Sequence, residues 1–156
     1  MKKSLLFIPK FVSLIVFSLL LVQCSKDDDT PSKTKAELLL GSWQRISDNF
    51  SPAYDFGTGT PVTNAFAIYS ACEKDDLYTF KVSNQGEFNE GAAKCDVDDA
   101  QTTPFIYQLD DVDSKLMIVG FYEFNIEQLD KTTMKISTTF MENGTSYTQT
   151  ITFTRK

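Results

Sequence analysis

Beyond Gly41 the apolar side chains recur with a period of two in a series of separate segments, the spacing that gives an extended strand one dry and one wet face. Tyr78, Phe80 and Val82 share one face against Thr79 and Lys81, and Phe105, Tyr107 and Leu109 oppose Gln108 and Asp110. Tyr122, Phe124 and Ile126 oppose Glu123, Asn125 and Glu127, and Met134, Ile136 and Phe140 oppose Lys135, Ser137 and Thr139. In the last segment Tyr147, Ile151 and Phe153 face away from a stripe of Thr148, Thr150, Thr152 and Thr154, β-branched residues suited to a strand surface. Short turn sequences separate these segments: Ser83-Asn84-Gln85-Gly86, Asp111-Val112-Asp113-Ser114, Asp130-Lys131-Thr132 and Asn143-Gly144. Asn-Gly between alternating runs is a strong hairpin signal, and connections this short join antiparallel neighbours. The pattern predicts an all-β antiparallel meander, closed into a barrel or folded as a sandwich. Ahead of it, Thr34 is placed to cap a short helical turn through Ala36–Leu40 that Gly41 ends.

The first residues follow a different rule. Met1-Lys2-Lys3 is basic, and Phe11–Val22 is an apolar block shorter than the roughly 18 residues a membrane-spanning helix needs. A basic start followed by such a block is the pattern of a secretory signal peptide. Leu21-Val22-Gln23-Cys24 resembles the bacterial lipobox, with Gln23 where a small residue is usual; the resemblance implies cleavage before Cys24 and lipidation of its thiol. Ser25-Lys26-Asp27-Asp28-Asp29 resembles the export signal of Bacteroidota-type surface lipoproteins, and as plain sequence it is a solvated acidic linker. The expected organisation is a signal peptide over 1–23, a lipidated flexible tether over 24–33 and one domain over 34–156. Its expected location is the outer membrane, lipid-anchored and facing the cell exterior.

Charge narrows the partners. The chain carries 15 basic and 21 acidic residues, a net charge of −6. Removal of residues 1–23 takes away three lysines and no acid, which leaves the mature chain at −9. That balance argues against nucleic acid and against anionic headgroups, both bound through basic patches. The anchor would make the membrane a partner, and a protein partner is not specified. Setting Cys24 aside leaves Cys72 and Cys95, which in an oxidising compartment are expected to form a disulfide.

"LLLGSWQRI" places Gly41-Ser42-Trp43 at the entry to the first strand, and Arg155 stands at the end of the last. "CEKDDLYTFKVSNQGEFNEGAAKC" adds a cysteine-framed hairpin. Together these resemble the lipocalin-like domains of Bacteroidota lipoproteins. The resemblance implies an up-and-down barrel of about eight strands, closed at one end by Trp43 against Arg155, and wide enough to be filled by side chains or to hold one small ligand. Under it, the stretch Asn49–Asn64 becomes a first loop over the barrel mouth whose Tyr54 and Phe56 reach a bound molecule; otherwise it is an ordinary loop excursion.

The candidate ligand-binding residues are therefore Tyr54 and Phe56 of that stretch, with Tyr78, Tyr107, Tyr122, Phe124, Tyr147 and Gln149, the inward positions that offer apolar area with a few polar tips. The same residues also read as ordinary core. Asp110-Asp111-Val112-Asp113 fails the calcium-loop spacing and reads as an acidic turn. A chain with no histidine and no thiol left after bridging excludes the common nucleophilic triads and zinc hydrolase sites. The expectation is a non-catalytic domain without cofactor or metal. It either captures a small apolar or amphipathic molecule or, with a filled barrel, contacts an envelope protein, glycan or host molecule.

Overall fold

The computed structural model describes residues 33–156, apart from Asp111, Asp113, Phe121 and Tyr122. The signal segment, Cys24, the acidic run Ser25–Asp29 and Tyr122 lie outside the described residues.

The chain enters through helix α1 (Lys35–Leu39), which the Thr34 capping box starts: the Thr34 hydroxyl accepts from the Glu37 backbone at 3.2 Å while Glu37 accepts from the Thr34 backbone at 2.8 Å. Gly41, at φ +122°, turns the chain into the first strand. Its missing side chain also leaves room for the Arg155 guanidinium, which a Cβ there would meet.

Nine strands follow: β1 (Gly41–Tyr54), β2 (Val62–Asn64), β3 (Leu77–Phe80), β4 (Gln85–Asn89), β5 (Thr102–Asp110), β6 (Lys115–Ile118), β7 (Glu123–Leu129), β8 (Thr133–Glu142) and β9 (Thr145–Arg155). From β3 onward each strand pairs antiparallel with the next, and β9 pairs back on β1 from Trp43↔Arg155 to Ser51↔Thr148. β1 and β3–β9 thus form a closed eight-stranded up-and-down barrel, which leaves no open edge along that circuit. The short β2 lies outside it, on the tip of β1. A 3-10 turn (Ala65–Ala67) and helix α2 (Ala71–Lys74) complete the β1–β3 connection.

The predicted turns behave as their residues require. Asn143 and Gly144 both hold positive φ, +51° and +79°, the primed-turn geometry that suits the twist of β8 and β9. Gly86 faces the Phe105 ring across the β4–β5 pair, and a Cβ at Gly86 would run into that ring. Cys72 and Cys95 are joined with Cα atoms 5.3 Å apart, tying α2 to the β4–β5 connection.

Two expectations change. Residues 49–54 are not loop but the outer half of β1, because Asn49, Phe50 and Ser51 find partners in Thr150, Gln149 and Thr148 of β9. Val82 is exposed beyond the end of β3 instead of sharing the inner face with Tyr78 and Phe80.

Candidate functional site

The barrel has one packed end and one hollow one. At the packed end the fully buried Trp43 donates its indole N–H to the Leu39 carbonyl at 2.8 Å, and the Arg155 guanidinium lies 4.3 Å over the ring. Arg155 donates to the carbonyls of Leu40 (2.6 Å), Leu38 and Lys131 (2.7 Å), so it closes this end by gathering backbone oxygens from α1 and the β7–β8 turn. Tyr107, Leu109 and Leu129 pack on the same side.

Above that layer is a cavity of about 420 Å³, within the range of small-molecule sites. Phe80, Leu116, Phe124, Met134, Ile136, Ile151 and Phe153 supply most of its apolar lining. Thr103 and Pro104 belong to its lining and are exposed. Thr103 pairs with the inward Phe88, so its exposure marks the place where the cavity reaches the surface.

Among the described residues, Arg45 is the one charged residue of the lining. Its Nη1 donates to the Asp48 carboxylate at 3.3 Å and to the Tyr69 hydroxyl at 3.2 Å, and Nη2 donates to the Tyr78 hydroxyl at 3.3 Å. Asp48 is fully buried; it also accepts from Tyr69 Oη at 2.6 Å and from Gln149 Nε2 at 2.9 and 3.1 Å. In a regular strand, residues three apart face opposite ways. Here the β1–β9 register slips between Arg45↔Phe153 and Ser47↔Thr152, and this bulge turns both Arg45 and Asp48 inward while Ile46 is left 48% exposed.

Burial opposes the charge on Arg45, yet the Tyr78, Tyr69 and Asp48 oxygens around it hold its pKa above the ordinary value. Burial raises the Tyr78 hydroxyl, and burial together with the Asp48 hydrogen bond raises that of Tyr69. Both phenols therefore stay neutral: Tyr69 accepts from Arg45 and donates to Asp48, and Tyr78 accepts from Arg45. Asp76, at the foot of β3, is pushed up to about 6 by burial and by Glu90. Its Oδ1 has no hydrogen-bond partner among the described residues. The described residues contain no group of three or more acidic, cysteine or histidine side chains arranged to hold a metal.

The residues singled out from the sequence fall into four places. Tyr78 and Phe124 line the cavity. Gln149 belongs to the network around Asp48. Tyr107 is spent at the packed end, where its hydroxyl donates to the Lys81 carbonyl at 2.8 Å, and it is not part of the cavity lining. Tyr54, Phe56 and Tyr147 lie outside the lining as well: with Phe50 and Phe140 they make an aromatic cluster on the projecting tips of β1, β8 and β9, ring centroids 4.9 to 6.4 Å apart. Sequence reasoning missed Arg45, Asp48 and Tyr69. One signal was available for Arg45, which stands two residues after Trp43 and so shares its inward face.

No family model matches the chain, and no curated protein is detectably similar to it in sequence.

Proposed function

We propose that this protein is a lipid-anchored, lipocalin-like lipoprotein of the outer membrane, displayed on the cell exterior, that holds a small apolar or amphipathic molecule in its barrel without chemical conversion. The observation that carries the binding reading is the 420 Å³ cavity, walled by side chains from strands all around the barrel and reaching the surface beside Thr103. A barrel evolved only to present its outside gains from filling that volume, since unfilled space forfeits packing. The anchor and address rest on the apolar block before Cys24 and the acidic run after it.

Native mass spectrometry of the full chain taken from cell membranes tests the binding reading. An extra mass of a few hundred daltons, on the scale of a small-molecule ligand, lost on denaturation and absent from Ile136→Phe/Ile151→Phe, is the expected result. These two residues pair across β8 and β9 and both line the cavity, so the added rings occupy it. A bare protein mass from repeated preparations overturns the carrier reading. For the location, protease added to intact cells should cut the domain; cutting only after the outer membrane is broken rejects surface display.

A second reading has its own observation. Ile106 of β5, Met117 of the adjoining β6 and Val119 just past its end lie exposed, an apolar strip on the barrel exterior suited to a contact with another envelope protein. It becomes the leading one if the cavity proves empty.

A further inference from the structure

The polar end of the cavity says more about its ligand than size does. A guanidinium carries five N–H donors. In Arg45 three of them are engaged, by Asp48, Tyr69 and Tyr78, while Nε–H and the second Nη2 proton have no acceptor among the described residues. The charge of Arg45, in contrast, is already matched. The Asp48 carboxylate lies 3.3 Å away, is fully buried, and is held by Tyr69 on one side and by Gln149 on the other, so it is not free to swing out and yield its place. Asp76 adds a further acidic group within electrostatic reach of the same guanidinium.

Resting on the carrier reading above, we infer that the cavity selects an uncharged amphipathic molecule whose polar end is a hydrogen-bond-accepting oxygen, such as a ketone, ester or alcohol, and discriminates against the carboxylate of the same chain length. A neutral oxygen at Arg45 accepts from the second Nη2 proton, the donor left over once Asp48, Tyr69 and Tyr78 are served and Nε is closed off by burial, and it brings no charge. A carboxylate there would set a second buried anion beside Asp48, in a site that holds one cation and one immobile counter-ion. Two carboxylates sharing one cation repel, and an unmatched buried charge is costly. The apolar lining, Phe80, Leu116 and Met134 among it, receives the tail. At roughly 30 Å³ for each water-sized group, the cavity holds on the order of a dozen such groups, which fits probes of about twelve carbons.

The test is competition among dodecanone, dodecanol and dodecanoate at neutral pH, read by native mass spectrometry on the full chain and on Asp48→Asn. The wild type should retain the ketone and the alcohol over the carboxylate by about tenfold or more, a difference of about 1.4 kcal/mol or above. Asp48→Asn keeps the shape of the side chain but leaves Arg45 unmatched. In that variant dodecanoate should gain about tenfold or more and overtake the neutral probes. A wild type that prefers dodecanoate, or a folded Asp48→Asn protein with the wild-type ranking, overturns the inference. Equal retention of all three overturns the head-group preference while the carrier reading stands, and retention of none overturns both. Should the variant fail to fold by circular dichroism, the wild-type ranking alone decides.

Discussion

Arg155 stands in the packed layer of the barrel and Arg45 in the lining of its cavity, and they are used in opposite ways. Arg155 stacks on Trp43 and gives its protons to the main-chain carbonyls of Leu38, Leu40 and Lys131, oxygens that α1 and a turn would otherwise leave unpaired. The Trp43 ring beneath it is fully buried. Arg45 gives its protons to side chains, is neutralised by one buried carboxylate and still has donors to spare, beside a hollow space. Both arginines are in register with β1 or β9, and the residues Trp43 and Arg45 are only two positions apart. The difference shows that closure and vacancy are separate features of this barrel: one end supplies cohesion, and the other tolerates empty volume because the first, the aromatic tip and the Cys72–Cys95 bridge hold the strands in place.

That division can be broken most severely at the packed end. Trp43→Ala should cost about 4 kcal/mol of stability, because it empties a fully buried position and removes the surface on which Arg155 lies. Urea denaturation followed by circular dichroism measures it; a loss under about 1 kcal/mol would mean that the end is not cohesive in the way described. At the hollow end, Asp48→Ala should cost about 3 kcal/mol, since Arg45 is left as an uncompensated buried cation. The double change Arg45→Met/Asp48→Leu should restore stability to near the wild-type value or above it, as is usual for a buried ion pair replaced by apolar groups. A double variant as unstable as the single one would show that the pair is needed for folding and not only for what occupies the cavity.

The smallest effect is expected at Asp76. Its carboxyl titrates near 6 in the folded protein against an ordinary 3.8, so folding favours the protonated form. The stability this contributes is fully present below the ordinary value and is lost as pH rises through about 6. Asp76→Asn should therefore be more stable than the wild type at neutral pH, by on the order of 1 kcal/mol once solvent screening is allowed for. The advantage should shrink as the pH is lowered from about 6 towards 4. Denaturation midpoints across that window check both the sign and the slope, and an Asn variant that loses stability at neutral pH would reverse the assignment.

Strand alternation from Tyr78 to Phe153, the Thr34 cap, the Asn143-Gly144 turn and the cysteine pair were legible in the sequence, because each is written in neighbouring residues or in a period of two. The resemblance around Trp43 and Arg155 added closure, which periodicity alone left open between barrel and sandwich. The outer half of β1 was missed because Gly, Pro and Thr between residues 49 and 64 have the composition of a loop, and only pairing with Thr148–Thr150 of β9 makes residues 49–51 strand. The bulge at Ile46 was hidden for the same reason: it is a slip of register against Thr152 and Phe153, and no local residue announces it. Asp48 meets Gln149 across a separation of 101 residues. Whether a barrel is hollow depends on the summed volume of side chains contributed by all eight strands, and a sequence read in order carries no such sum. Local pattern determined most of the strands and their apolar faces; only the closed tertiary structure turned Asp48 inward beside Arg45 and decided that about 420 Å³ is left unfilled with an already neutralised arginine beside it.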